Sequence, residues 1–259
     1  MKRLPLKITI LGSGNVATQF ATTFHAAGAT IAEVYSPNAA HAKTLAKKVK
    51  ANVVKSIADL SAADFILIAV KDDALTATVK ALPAGKGIVV HTAGSIPMNV
   101  LQKFPQHGVL YPLQTISKKR TLKTEQLPLC IEASDKKTLA KLKQIAQLVS
   151  GKVRLLDSDQ RRAAHLAAVF ACNFTNHLYA IAGQLLEEKN LPFDLLRPLI
   201  LETAEKVQQL SPSEAQTGPA LRNDRSVMNK HLALLKTHPE WKKLYRLFSR
   251  SIHDSAPKK

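Results

Sequence analysis

Histidine and asparagine side chains recur along residues 159–189, a segment whose pattern is typical of a long helix. Successive residues of an α-helix are rotated by about 100° around its axis. One stripe of this helix therefore carries His165, Val169, Cys172, Asn176 and Tyr179. Asn173 lies about 80° around the helix from His165. An imidazole gains and loses a proton near neutral pH and an amide orients polar groups, so the segment has side chains suited to acid–base chemistry.

The same segment also fits a packing role. Its small residues, which let another helix approach closely, are Ala163, Ala164, Ala167, Ala168 and Ala171. In this interpretation the histidine and the asparagines are hydrogen-bonded residues of a core or of a dimer contact. The residues alone leave both interpretations open.

The stretch ITILGSGNVATQF, residues 8–20, is a second candidate site. A short aliphatic run ends at Gly12, and the G-x-G-x-x-A pattern then opens a helix whose free N–H groups suit an anion. The expected contacts of a dinucleotide pyrophosphate are the turn residues Gly12, Ser13, Gly14, Asn15 and Val16. The alternative is a glycine-rich turn without a ligand.

The end of the second strand indicates which dinucleotide is bound. An acidic residue there would hold the ribose hydroxyls of NAD, but this chain reads VYSPN, and Glu33 lies two residues too early. Ser36 and Asn38 can donate hydrogen bonds to a 2′-phosphate, with the charge of Lys43 nearby. The sequence therefore predicts NADP, whereas the alternative is an ordinary Ser-Pro turn.

Short apolar strands alternate with amphipathic helices through the first 157 residues. After a first strand that ends at Leu11, the predicted strands are 29–35, 51–54, 64–70, 87–92, 107–112, 127–133 and 152–157. This alternation predicts an α/β fold with a doubly wound parallel sheet. From residue 159 onward the pattern is helical. We therefore expect a Rossmann-like NADP-binding domain at 1–157 and an all-α substrate and dimerisation domain at 158–259.

Composition fits a cytoplasmic protein. The 259 residues, 46% of them hydrophobic, are enough to bury a large core. No apolar run approaches the roughly 20 residues of a membrane span, and the N-terminal MKRLPLK has no signal-peptide pattern. Cys130 and Cys172 lack the spacing of metal ligands, so no metal is expected.

The net charge of +18 raises the question of nucleic acid. The lysines are spread along helix faces without interleaved aromatic residues, as expected for a solvated surface. Specific nucleic-acid binding rests on charge alone and is not expected.

Several motifs together resemble a known superfamily. GSGNVA, VYSPN and ILIAVKDDAL are similar to the cofactor domain of the pyrroline-5-carboxylate reductase and 6-phosphogluconate dehydrogenase-like superfamily. HTAGS, YPLQT, HLAAVFACNFTNHLY, TGPALRND and KHLALL resemble a narrower bacterial family, in which a Rossmann-like NADP-binding domain precedes a helical domain of unknown function. The resemblance covers nearly the whole chain. It implies a two-domain oxidoreductase that forms a dimer through its helical domain, without implying a particular substrate.

The resemblance places Val70 and Lys71 beside the cofactor, because ligands of such sheets lie beyond the carboxyl ends of the strands. His91 ends the next strand, where the nicotinamide should come close. A histidine at the end of a strand can instead cap neighbouring backbone groups.

Related dehydrogenases carry a polar pair, often lysine and asparagine, on the helix that corresponds to 159–189. Here no lysine occupies the stretch around His165, so His165 becomes the expected acid and base, with Asn173 as the orienting group. Asn176, on the stripe of His165, is a candidate substrate contact.

In the related reductases, a loop placed like TGPALRND brings a threonine or serine to the substrate, often from the partner subunit. Thr217 is the corresponding residue, and Arg222 is suited to bind a substrate carboxylate or phosphate. Read without the resemblance, the stretch is the start of a helix capped by Thr217, or a turn held by an Arg222–Asp224 contact.

The expected function is therefore hydride transfer between NADP and a small carbonyl, imine or hydroxy compound held between the domains. The alternative is a non-catalytic NADP-binding or sensing protein with a helical assembly domain.

Overall fold

The chain divides into two compact units in a computed structural model that describes residues 6–117 and 126–256. The units are Met1–Asn173 and Phe174–Lys259. The first helix after the sheet thus groups with the first unit. The domain boundary predicted at residue 157 stays a prediction.

The first unit contains an eight-stranded sheet within the described residues, with the strand order β3-β2-β1-β4-β5-β6-β7-β8. The strands are β1 Lys7–Leu11, β2 Thr30–Tyr35, β3 Asn52–Val53, β4 Phe65–Ile68, β5 Ile88–His91, β6 His107–Pro112, β7 Pro128–Ala133 and β8 Lys152–Leu155. Each of them lies within or next to a predicted strand. The order reverses between β1 and β4, which is where a ligand crevice forms in such sheets.

One junction of the sheet differs from the expected parallel arrangement. β7 runs antiparallel to β6, with Tyr111 opposite Cys130, whereas the other neighbouring pairs are parallel. Strand composition does not reveal direction, because it depends on whether the connection crosses over the sheet. The sheet is therefore mostly parallel.

Helices cover both faces of the sheet, as a doubly wound fold requires. Alternate strand residues point to opposite faces, so that Phe65 and Leu67 belong to one apolar cluster and Ile66 and Ile68 to the other. The first cluster also contains residues of α1, α2 and α4, and the second contains residues of α3. These helices are α1 Asn15–Ala26, α2 Ala39–Val49, α3 Asp72–Ala81 and α4 Lys136–Gln147.

The predicted helix 159–189 is not one regular helix. It begins as α5 Ser158–Ala168, widens into a π-helix at Val169–Phe174 and continues as α6 Thr175–Glu187. A π-helical turn contains more residues than an α-helical one, so the period of about 100° fails beyond Val169. The stripe predicted to join His165 to Asn176 and Tyr179 is therefore wrong in its second half.

The described elements of the second unit are helices. Its remaining helices are α7 Arg197–Gln209, α8 Pro212–Ala215, α9 Arg225–Leu234 and α10 Pro239–Asp254. His238 precedes α10. Its Nε2 lies 2.8 Å from Oε1 of Glu188, and its ring stacks on Trp241. Among the described residues, no helix is long and apolar enough to cross a membrane.

A buried ion pair anchors α5 to the sheet. Arg161, with 1% of its side chain exposed, pairs with Glu132 of β7 and donates a hydrogen bond of 2.7 Å to the carbonyl of Ile96. The hydroxyl of Ser158 donates to Glu132 at 2.9 Å and accepts from the backbone N–H of Met98 at 2.9 Å. The start of α5 is thus tied to β7 and to the loop that follows β5.

Replacing Arg161 by alanine should destabilise the protein by about 3 kcal/mol, because the Glu132 carboxylate would remain largely buried without its cation. Chemical denaturation measures the loss. Arg162→Ala is the matched control, since this neighbouring arginine is half exposed and its pair with Asp159 contributes little. Equal stability of the two variants would contradict the anchoring role of Arg161.

Candidate functional site

The nucleotide turn lies at the reversal point of the sheet. Gly12 follows β1 and has a φ of +123°, a conformation that residues with a side chain rarely adopt. A Cβ at this position would lie 2.2 Å from the backbone oxygen of Ala69, just after β4. Gly12 is therefore required by the protein itself, with or without a ligand.

Gly14 meets a different requirement. A Cβ at Gly14 would have no atom within 4 Å apart from those of its own local backbone and chain neighbours, and the residue has an ordinary φ of −72°. It is the N-cap of α1, which lacks a side-chain capping hydrogen bond, so the first N–H groups of the helix remain for an anion. Open space in front of an uncapped helix start fits the pyrophosphate of a dinucleotide.

The end of β2 carries hydroxyl groups instead of an acid. Ser36 and Ser13 are joined by a hydrogen bond of 2.8 Å between their hydroxyl oxygens. Asn38 caps α2, because its side-chain oxygen accepts from the backbone N–H of His41 at 3.0 Å. Glu33 accepts hydrogen bonds from the backbone N–H and the hydroxyl of Ser61. The acidic group is therefore committed to the protein and does not face a ribose.

The loops after β4 and β5 meet at the same edge. Val70 is partly buried, and Lys71 is the exposed N-cap of α3. Asp72, the first residue of α3, accepts a hydrogen bond from the hydroxyl of Ser95, which follows β5. The predicted cofactor contacts at Val70 and Lys71 thus lie at the carboxyl edge of the sheet, where ligands of such folds bind.

His91, the last residue of β5, is fully buried. Its Nδ1 accepts a hydrogen bond of 3.1 Å from the backbone N–H of Ala93. Burial, reinforced by the Arg161 cation, lowers the pKa of His91 to about 3. The imidazole is therefore neutral near pH 7. This geometry is that of a histidine that caps backbone, and a catalytic role for His91 stays a prediction.

His165 has a different environment. Its Nδ1 lies 2.8 Å from the hydroxyl oxygen of Tyr111 in β6, and the two rings meet edge to face. Burial raises the pKa of the Tyr111 hydroxyl to about 12, so this group keeps its proton. The Tyr111 hydroxyl donates to Nδ1 when that nitrogen is unprotonated and accepts from Nδ1–H when it carries a proton, so the contact orients the ring in either state.

Gly94 makes room for this pair. A Cβ at Gly94 would lie 2.8 Å from Cγ and Nδ1 of His165 and 2.8 Å from Cζ of Tyr111. The loop after β5 thus packs directly on both rings. His165 is only partly buried, so its ring combines a fixed orientation with access to solvent.

The other polar residues of the predicted helical stripe are less constrained. Asn173 lies in the π-helical segment and Asn176 in the first turn of α6, and both are exposed. Asn173 belongs to the same unit as His165, whereas Asn176 belongs to the second unit. Their roles as orienting and substrate-binding groups stay predictions.

The TGPALRND stretch is a series of turns in the second unit, so the predicted helix start at Thr217 is wrong. Helix α9 begins at Arg225 instead, because the side chain of Asp224 accepts from the backbone N–H of Val227. Arg222 is exposed, and the structure, which describes this stretch completely, shows no ion pair between Arg222 and Asp224.

Thr217 lines an apolar cavity of about 410 Å³ within the second unit. Its walls come mainly from α6 and α10, with Ile181, Trp241 and Tyr245 among the lining residues. The roles predicted for Thr217 and Arg222 at a substrate stay predictions.

Three residues of the site were not identified from the sequence. Tyr111 and Gly94 belong to the motifs YPLQT and HTAGS, which carried the family resemblance, but the sequence assigned neither residue a role. Arg161 gave no signal, because next to Arg162 it reads as part of an exposed charged pair. Only the packing of α5 distinguishes the two arginines.

Two family models match the chain. Residues 7–94 match the family described as NADP oxidoreductase coenzyme F420-dependent, and residues 127–252 match a domain of unknown function, DUF2520. No curated protein matches the chain.

A solved structure from Bacteroides fragilis, described as a "putative NADP oxidoreductase", is 45% identical to this chain. The match covers 96% of this chain and 98% of the other, with a TM-score of 0.89. The chain belongs to the same family. The predicted resemblance is thereby confirmed, and so are NADP as the cofactor and the coarse class of NADP-dependent oxidoreductase.

More distant structures share the fold. A reductive aminase from Aspergillus terreus, solved with NADPH and ethyl-5-oxohexanoate, is 17% identical over 97% of this chain and 95% of its own, with a TM-score of 0.72. A 1-pyrroline-5-carboxylate reductase from Streptococcus pyogenes is 11% identical over 96% of this chain and 98% of its own, with a TM-score of 0.64.

The two glycines of the turn should respond differently to alanine. Gly14→Ala should keep the stability of the protein but lower its affinity for NADPH at least tenfold, because the added methyl group occupies space that only the ligand uses. Gly12→Ala should lower both, because its Cβ meets the backbone of Ala69. Thermal unfolding and calorimetric titration measure the two effects. A Gly14→Ala protein with unchanged NADPH affinity would contradict the placement of the pyrophosphate.

Proposed function

We propose that this oxidoreductase transfers a hydride between NADP and a small carbonyl, imine or hydroxy compound, with His165 as the acid and base. The observation that carries the proposal is the Tyr111–His165 hydrogen bond at the carboxyl edge of the sheet that also holds the nucleotide turn. The contact supports the proposal because it orients an imidazole near the edge of the sheet where ligands of such folds bind.

Each partner of the pair has a distinct task. NADPH, when bound, supplies a hydride to the carbon of a carbonyl or imine. The substrate oxygen or nitrogen then takes up the electron pair of the double bond and needs a proton, which the imidazolium form of His165 donates from Nε2 while Nδ1 keeps its proton. Tyr111 keeps its own proton and fixes the ring through Nδ1. In the reverse direction, Nε2 of the neutral imidazole, whose proton lies on Nδ1, accepts the proton of a hydroxyl or amine.

The surroundings of His165 support this assignment over His91. Both histidines lie in the first unit, but His91 is fully buried and its Nδ1 is committed to the Ala93 N–H. A fully buried ring cannot contact a substrate unless the residues around it rearrange. His165 is partly exposed and needs no such rearrangement.

His165→Gln should bind NADPH with nearly unchanged affinity but turn over about 10² to 10⁴ times more slowly, because glutamine keeps a polar group of similar size without a transferable proton. A spectrophotometric screen of NADPH oxidation with small ketones, aldehydes and cyclic imines identifies the test substrate. Tyr111→Phe should show a smaller loss, since it removes the orienting bond alone. His91→Gln, assayed in parallel, tests the alternative histidine.

Two results of this experiment would reject the proposal. Full turnover by His165→Gln would remove His165 from the chemistry. Tight NADPH binding by the wild type, with no oxidation by any compound of the screen, would favour the non-catalytic NADP-binding or sensing protein.

We further propose that two copies of the chain associate through the helical unit. None of the residues of α6, α7, α9 and α10 is buried, although each helix is amphipathic. Large apolar side chains of the second unit remain exposed, including Leu199, Leu201, Leu234 and Leu247 of these helices and Leu195, which precedes α7. Apolar surface of this extent is typical of obligate interfaces, and a second copy offers the same surface in return.

Light scattering should therefore give twice the chain mass of 28.2 kDa at micromolar concentration. Replacing both Leu195 and Leu199 by glutamate should shift the protein toward the monomer, because the charges would have to be buried in the contact. Gln208→Glu/Gln209→Glu, which adds the same charge at exposed polar positions of α7, is the control. A monomeric wild type would refute the dimer.

A further inference from the structure

A small polar cavity lies between α1 and α2, next to the nucleotide turn. It has a volume of about 60 Å³ and is lined by Ser13, Thr18, His41, Thr44, Leu45 and Lys48. The small size of the cavity suits a compact group. Its lining combines hydroxyl groups with the basic side chains of His41 and Lys48, and no acidic residue contributes to it.

The cavity adjoins the expected position of the adenosine ribose. Ser13 stands between the two glycines of the turn and is hydrogen-bonded to Ser36. Ser36 is the third residue of VYSPN, the sequence at the end of β2 that lacks the expected acid. The ribose of a dinucleotide lies at the end of β2. A phosphate on that ribose, with a charge approaching −2, would find hydroxyl and cationic groups in this cavity.

Helix geometry determines which basic residues of α2 can contribute. His41, Thr44, Leu45 and Lys48 follow one another at the spacing of a single helix face. Lys43 lies about 160° around the helix from His41 and does not line the cavity. The sequence predicted that the charge of Lys43 lies near the 2′-phosphate, but Lys43 is on a face of α2 that does not line this cavity.

Hydrogen bonds narrow the candidates further. The side-chain oxygen of Asn38 is committed to capping α2, and the hydroxyl of Thr44 donates to the carbonyl of Ala40 at 2.9 Å. Among the described residues, no hydrogen bond occupies the side-chain nitrogens of His41 or Lys48 in this way. We infer that His41 and Lys48 recognise the 2′-phosphate and set the preference for NADP over NAD.

Calorimetric titration with NADPH and with NADH tests this inference. His41→Ala and Lys48→Ala should each weaken NADPH binding about tenfold, the value of one charge-assisted hydrogen bond, and change NADH binding less than twofold. Lys43→Ala, the matched control on the other face of α2, should change either affinity less than twofold. His41→Lys, which keeps a basic side chain at this position, should retain the preference for NADPH that His41→Ala loses.

Competition by small nucleotides gives a readout without the nicotinamide. 2′,5′-ADP should compete with NADPH more strongly than 5′-ADP in the wild type, and the His41→Ala/Lys48→Ala protein should lose the difference. Equal weakening of NADPH and NADH by these substitutions would overturn the inference, and so would an effect of Lys43→Ala as large as theirs. Because the inference rests on cofactor binding and not on the proposed reaction, a failure to find turnover leaves it standing.

Discussion

The buried pair of Arg161 and Glu132 is the interaction on which the geometry of the site depends. Arg161 ties the first turn of α5 to β7 and to the loop after β5, and His165 follows one helical turn later on the same side. A buried ion pair contributes little net stability compared with apolar packing, but breaking it is costly. We therefore interpret the pair as a device that fixes where α5 lies, and with it the distance between His165 and Tyr111.

The same constraint separates the two histidines at this edge of the sheet. Burial, reinforced by the Arg161 cation, lowers the pKa of His91 and keeps it neutral, which suits a residue that caps backbone. His165 lies farther along α5, where Tyr111 and Gly94 orient its ring without enclosing it. The anchored helix thus lies beside a buried histidine that caps backbone, and itself carries a histidine that is only partly buried.

Much of the first unit could be predicted because its signals are local. Each strand is a short apolar run bounded by polar residues, and Gly12 and Gly14 mark the turn from β1 to α1. The missing acid after Tyr35 indicated NADP, since ribose recognition depends on the one or two residues at the end of a strand. The antiparallel direction of β7 and the π-helical segment after Ala168 had no such signal. Strand direction depends on the path of the connection, and the wider turn changes the helical period without changing the apolar composition.

The sequence by itself determined the order of strands and helices, the nucleotide turn and the presence of His165 on a helix. Only the tertiary structure decided which of the adjacent residues Arg161 and Arg162 is buried, and that Tyr111 meets His165 across 54 positions of the chain. It likewise decided that His41 and Lys48 line the cavity at Ser13, whereas Lys43 does not. The reason is physical: residue type and spacing fix the local backbone, but a side chain acquires its role from the elements that pack against it.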